Sequence, residues 1–267
     1  MKLSMVTVCF NAENVIEKTI LSVLNQSKPV YEYVLVDGAS TDSTYSIIKA
    51  YEKQFVAKGI RYSYISEKDK GISDAFNKGI KRATGEVVGL LNADDELLPD
   101  TCKVLSEYVE KYPADVYYGD CIWVDEKNRL EYISKPKHDL SKLLYHMVLI
   151  HPSTFVKKSA YDECGVFDIT YRYCMDKQLL YRFYKKGKKF QYIEECLTRF
   201  KAGGVSDSHA KAVFREDSRM AMENGEPWLK AKIIEKKKLL KDSLSRILKK
   251  TPLYLIIKNK KNLREKR

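Results

Sequence analysis

The tetrad Asn92-Ala93-Asp94-Asp95 closes a short apolar run at residues 87–91. Two adjacent carboxylates at the end of a buried strand repel each other and lose hydration, so they need a cation or hydrogen-bond donors close by. A hard divalent cation, held by one or two carboxylates and completed by substrate phosphate oxygens, meets that need. The alternative is that Asp94 and Asp95 only shape the turn before Pro99. Asp37 ends another apolar run and opens Asp-Gly-Ala-Ser-Thr-Asp. A carboxylate there can accept a nucleobase N–H, and Gly38 lets a ligand approach the backbone; otherwise Asp37 and Asp42 are turn and cap residues. A third cluster, 66–79, mixes acids, bases and glycines and includes Lys70, Gly71 and Asn77. Each cluster alone reads as a solvated loop. Three of them at the ends of successive apolar runs ask for a shared site.

The elements that would position them alternate between strand and helix. Residues 6–10 form a short apolar strand, and Asn11 is placed to cap a helix whose Val15, Ile16, Ile20, Val23 and Leu24 share a face. Residues 33–36 predict a second strand, followed by a helix capped by Asp42. Residues 60–65 alternate as a third strand, 73–83 carry helical spacing with Gly85 as a stop, and 87–91 predict a strand buried on both faces. Four strands separated by crossover helices make a parallel, doubly wound α/β sheet, whose ligands bind outside the carboxyl ends of the strands. The three polar clusters fall at those ends. From Pro99 a helix to about residue 111, short strands near 116–118, 122–124 and 130–133, a helix at 175–186 and a strand at 190–193 predict an antiparallel addition to the sheet.

Charge separates the chain into two parts. There are 48 Lys and Arg against 36 Asp and Glu, a net of +12, but residues 228–267 hold 15 basic and 3 acidic residues, leaving 33 of each before them. A uniformly basic, nucleic-acid-binding body is thereby excluded. Six scattered cysteines form no metal-binding spacing and read as reduced core residues. The polar interruption at Asn11 argues against a secretory segment, and no apolar run approaches the roughly 20 residues of a membrane-spanning helix. The expected location is cytoplasmic.

Residues 7–13, 36–44, 67–79 and 91–95 together resemble glycosyltransferase family 2, and specifically the bacterial enzymes of capsule, O-antigen and colanic-acid synthesis. The resemblance runs in order over about positions 3–206. His151-Pro152-Ser153-Thr154-Phe155, Gly165-Val166-Phe167-Asp168 and the segment 173–182 extend it into the second half. It implies a GT-A fold with residues 1–98 as the nucleotide-sugar half and 99–227 as the acceptor half. It also implies inverting transfer of one sugar from a nucleotide diphosphate donor, a UDP-sugar as first choice, to a glycan or lipid-linked acceptor. Carried over by position, Asp37 would contact the base, with Thr7 and Phe10 lining that pocket. Asn11, Lys70, Gly71, Asn77, Asn92, Ala93, Asp94 and Arg182 are further candidate substrate contacts. Asp94 and Asp95 would hold Mn2+ or Mg2+ on the diphosphate, and Asp176 would be the general base. Asn92 stands where the family often has an aspartate. By itself Asp176 reads as a helix N-cap.

Two other functions compete: a sugar nucleotidyltransferase on a similar sheet, and an inactive protein that only binds nucleotide sugar or membrane. The first lacks the glycine-rich basic loop expected after strand one for a triphosphate. In the tail, Leu229, Ile233, Leu240, Leu244 and Ile247 recur at helical spacing among Lys236, Lys237, Lys241 and Lys249, and Leu253 to Ile257 follow Pro252. That pattern predicts a basic amphipathic helix lying on an anionic membrane face, with a helix packed on the body as its alternative.

Overall fold

A computed structural model of the chain describes residues 1–203 and 209–249, the side chains of 246–249 excepted. It divides between residues 204 and 205 into two compact units. The glycine-serine loop at 203–206 and the apolar segment at 253–257 lie, Gly203 apart, outside the described residues.

The first unit is built on a nine-stranded sheet. Its parallel part joins β3 (Arg61–Ser66), β2 (Glu32–Asp37), β1 (Leu3–Cys9) and β4 (Val87–Asn92) in that spatial order. Every residue of β1 and β2 is buried, the result expected of parallel strands covered on both faces. Helices α1 (Ile16–Leu24), α2 (Thr44–Ala50), α3 (Glu52–Ala57) and α4 (Ile72–Arg82) make the crossovers. Each turns an apolar stripe inward: Ala75, Phe76, Gly79 and Ile80 of α4 are buried while Lys81 and Arg82 lie outside. On the α1 side, Tyr33, Phe55 and Tyr62 pack ring to ring, Phe55 and Tyr62 stacking at 4.5 Å.

Beyond β4 the sheet becomes mixed. After the two-residue β5 (Glu96–Leu97) and helix α5 (Thr101–Lys111), β6 (Val116–Asp125) turns back into β7 (Leu130–Ser134). β8 (Thr154–Lys157) lies antiparallel between β4 and β6, and helices α6 (Lys158–Cys164) and α7 (Met175–Lys185) precede β9 (Phe190–Lys201), which is parallel to β6. The two strands expected at 116–118 and 122–124 are one, continuous through a bulge around Asp120, and the strand expected at 190–193 runs on to Lys201.

The second unit is a helical pair, α8 (Ala210–Glu223) and α9 (Trp228–Lys249). Gly225, at φ +91°, closes α8 with its N–H on the Met222 carbonyl while Glu226 N–H reaches Ala221, a glycine-dependent C-terminal cap. The pair buries Met220, Ala221 and Ala231, and Lys238 Nζ meets Asp217 Oδ2 at 2.6 Å in a largely buried ion pair. On α9, Leu229, Ile233, Leu240 and Leu244 stay exposed. Among the described residues no helix is long and apolar enough to cross a membrane.

Candidate active site

Strand register collects the polar clusters. Cys9 pairs with Asp37, Asp37 with Ser66, and Val8 with Asn92, so the loops after β1, β2, β3 and β4 all leave the same edge of the sheet. The first two loops are laced together. Asn11, at φ +48°, accepts from the Thr41 amide through Oδ1 at 2.9 Å and gives its own N–H to Ser40 Oγ at 2.8 Å. Glu13 and Ala12 donate backbone N–H groups to Asp42 and Thr44. Asn11 therefore ties two loops rather than capping α1, which starts only at Ile16.

Asp37 has no exposed surface. Its carboxylate accepts from Ser40 N–H, from the Ser40 and Ser66 hydroxyls and from the Cys9 thiol. Cys9 is pushed well above the usual thiol range by burial and by the neighbouring Asp37. Asp37 thus organises the turn, and the surface above it belongs to Phe10, 62% exposed, Gly38 and Asp69. A Cβ on Gly38 would lie 2.6 Å from Asp69 Oδ2 and 3.4 Å from Phe10 Cδ2, so the glycine keeps a flat slot open between a ring and a carboxylate. Thr7, expected to line this pocket, is fully buried on β1 and accepts from Tyr33 Oη at 2.9 Å; strand alternation turns it into the core.

The third loop is exposed at Lys70 and Gly71, and it is braced by its own acids: Asp69 accepts from Gly71 N–H and Asp74 from Lys70 N–H. Asn77 is not free for a donor. Its side-chain amide exchanges two 2.9 Å hydrogen bonds with the backbone of Phe167, locking α4 to the turn before α7. Ser73 adds bonds to the Tyr171 carbonyl and to Met175 Sδ, one residue before Asp176.

After β4, Asn92 donates to Asp95 Oδ2 at 2.9 Å and the Lys201 amide donates to Asp95 Oδ1 at 3.0 Å. Asp95 is 1% exposed, and burial, opposed by those donors and reinforced by the charge of Asp94, pushes it up to about 7. Thr19 Oγ1 donates to the Ala93 and Asp95 carbonyls, fixing the turn from below. Asp94 is exposed, with burial of part of its carboxyl raising its pKa and Lys201 lowering it. Its side chain makes no hydrogen bond or ion pair with another residue among the described residues. With both oxygens of Asp95 engaged, Asp94 is the carboxylate positioned to meet a cation. No group of three His, Cys, Asp or Glu side chains among the described residues could hold one unaided. The donor set therefore fits a hard cation that takes its other ligands from a diphosphate and water.

Asp176 sits in the first turn of α7, half-buried, with Oδ1 accepting from the Lys177 amide at 2.7 Å. It lines a small cavity of about 10 Å³ together with Leu90, His151, Thr154 and Phe167. His151, which motif reading had not marked as a site residue, stands edge-on to Phe76 and Phe167; its pKa is lowered by burial against the opposing charge of Asp176. Arg182 is engaged by backbone: Nη2 donates to the Val166 carbonyl at 2.6 Å, Nη1 lies over Gly165, and buried Nε has no partner among the described residues. It braces the turn before α7. A cleft of about 430 Å³ between α1 and β5 is lined by Lys18, Leu21, Glu96 and Arg199 and holds none of the motif residues.

The sequence profile described as glycosyl transferase family 2 matches residues 4–168. The chain belongs to this family. It is 30% identical over 175 residues to a PGL/p-HBAD biosynthesis glycosyltransferase of Mycobacterium bovis BCG, a match spanning 65% of this chain and 66% of that relative. In fold it is similar to S. aureus TarS 1–349 in complex with UDP, at a TM-score of 0.65 and 17% identity over 90% of this chain and 71% of the other. It is likewise similar to the mannosyltransferase PcManGT of Pyrobaculum calidifontis in complex with GDP-Man and Mn2+, at 0.63 and 16% over 98% and 80%. The expected mixed, mainly parallel GT-A sheet is the one observed.

Proposed function

We propose that this chain transfers a single sugar, with inversion, from a nucleotide diphosphate donor to a hydroxyl of a cell-surface glycan or glycolipid. One observation carries the reading: β4 serves both chemical ends of the site. Leu90 lines the cavity that holds Asp176, and the same strand ends two residues later in the turn that presents Asp94. The base for the acceptor, on α7, therefore packs beside the strand whose end presents the carboxylate for the leaving group, a fixed relation of the kind an in-line displacement requires.

In the proposed step an acceptor oxygen attacks the anomeric carbon from the side opposite the diphosphate. The new C–O bond forms as the bond to the diphosphate oxygen breaks, and the hydroxyl proton passes to Asp176. A weak base suffices, because that hydroxyl becomes strongly acidic only as the new bond forms. The Ser73 and Asn77 clamps keep the start of α7 fixed on α4, and the neutral ring of His151 walls the inner side of Asp176 from water. Asp94 would hold a divalent cation, Mn2+ or Mg2+, which when bound neutralises charge developing on the diphosphate. Asp95 aims Asp94 without itself ligating. The base lies in the slot over Phe10, where Asp69 and the loop around Lys70 and Gly71 can read its edge. Uracil is the choice we favour, and TarS and PcManGT, which were solved with UDP and GDP-Man, bracket the alternatives.

We assign α9 to an anionic membrane surface. Positions 229, 233, 240 and 244 fall on one helical face and are exposed, beside exposed Lys236 and Lys237. An enzyme held there by its cytoplasmic side would meet lipid-linked acceptors.

Thermal stabilisation by UDP-, GDP- and TDP-sugars with and without Mn2+ tests the donor, since the shift follows ligand concentration over Kd. Asp176→Asn tests the base: transfer should be abolished while donor stabilisation stays near the wild-type value. Unchanged turnover in that variant would refute the assignment.

A further inference from the structure

Three aromatic side chains form a row across the second half of the sheet. Trp123 of β6 pairs in register with Tyr132 of β7 on one side and Phe200 of β9 on the other. The Trp123 and Tyr132 rings are nearly parallel, 21° apart at 6.3 Å, and Trp123 meets Phe200 at 4.6 Å. Tyr132 is 49% exposed, and Trp123 and Phe200 are half-buried. Paired residues on neighbouring strands share a face, so the three rings make one partly open surface. On the reverse face Arg199 grips Glu131 through two bonds of 2.8 and 3.0 Å, linking β9 to β7 across β6. Such an exposed pair adds little stability, but its two-point geometry restrains the twist of the three strands.

The row is tied to the catalytic edge by one peptide unit. Phe200 is followed by Lys201, whose amide holds Asp95 at 3.0 Å. Flat aromatic surfaces that remain partly wet suit a ligand with an apolar face and polar rims, which is the shape of a pyranose ring.

We propose that Trp123, Tyr132 and Phe200 form a stacking platform for sugar residues of the acceptor glycan, beyond the hydroxyl that reacts. This rests on the glycosyl-transfer reading above and adds the place where the acceptor chain lies. The platform selects a carbohydrate acceptor by its ring faces, while Asp176 selects only a hydroxyl.

The chain has two tryptophans, so Trp228→Phe leaves Trp123 as the only tryptophan in the full-length protein, to be excited selectively beyond the tyrosine absorption band. Titration of that variant with chitotetraose, cellotetraose and mannotetraose should give a saturable blue shift with at least one of them. Adding Tyr132→Ala, with the melting temperature followed as a control for folding, should weaken that affinity by about tenfold or more, and Tyr132→Phe should restore it. No response to any of the three sugars, or an affinity indifferent to Tyr132→Ala, overturns the platform. Nucleotide binding is measured in parallel by thermal shift with UDP and Mn2+. Nucleotide binding with a flat Trp123 response refutes the platform and leaves the activity standing; a sugar response without nucleotide binding does the reverse.

Discussion

The backbone amide of Lys201, the last residue of β9, donates to the buried carboxylate of Asp95 at 3.0 Å. The second half of the sheet is thereby joined to the turn that presents Asp94. Because burial pushes Asp95 up to about 7, the folded chain holds a proton that the unfolded chain would release in the ordinary carboxylate range. That contribution to stability is complete below pH 4 or so and is lost as pH rises through about 7. The stability of the wild type relative to Asp95→Asn should therefore fall by up to about a few kcal/mol between these limits, read from urea unfolding at several pH values. A difference that rises with pH would show that the carboxylate is charged in the native state.

The Asp94 side chain makes no hydrogen bond or ion pair with another residue among the described residues, so its removal should cost little stability. Asp94→Asn should instead erase the part of UDP stabilisation that depends on Mn2+, weakening nucleotide affinity in the presence of metal by about tenfold or more. Calorimetric titration with and without Mn2+ checks this. Equal metal dependence in both proteins would move the cation elsewhere.

Gly38 gives a test of the base slot that leaves the chemistry untouched. A valine there would drive a methyl-bearing Cβ to 2.6 Å from Asp69 Oδ2 and fill the space beside Phe10. Gly38→Val should weaken UDP binding by about tenfold or more while the melting temperature changes little, because Asp69 is a side-chain end that can swing into solvent. Retained affinity would place the base away from Phe10.

How far the site could be read from sequence follows from burial. β1, β2 and β4 were legible as apolar runs because parallel strands covered on both faces can carry little else, and their ends delivered Asp37 and Asp94 to one edge. The middle of β6 was not. Gly119-Asp120 falls between the strands predicted at 116–118 and 122–124, yet Asp120 is buried within one strand, accepting from Tyr192 Oη at 2.7 Å, a partner 72 residues away that no local pattern announces. Asn77 and Arg182 carried the residue types of ligand contacts but spend them on backbone groups at Phe167 and Val166. Thr7 was misplaced by the same blindness to which face of a buried strand a residue takes. Asp69 and His151 lie within the segments that resemble the family, and only the cradle at Gly38 and the cavity at Asp176 single them out.

The exposed stripe of α9 makes the membrane assignment testable without a substrate. Leu240 and Leu244 are 62% and 52% exposed, so replacing them cannot hollow the helical pair, in which Ala231 and Met220 are buried and Lys238 pairs with Asp217. If the stripe enters the headgroup boundary, each leucine transfers apolar area worth about 1.5 kcal/mol or more, and a charged replacement forfeits it. The double variant Leu240→Glu, Leu244→Glu should then lose binding to phosphatidylglycerol-containing vesicles by about a hundredfold in a sedimentation assay. Changing Lys236 and Lys237 to glutamine should weaken binding only where the vesicles are anionic, and more at low salt than at high salt. Vesicle binding unaltered by the paired glutamates would mean that the basic helix serves some other contact, while the roles assigned to Asp94 and Asp176 would be unaffected.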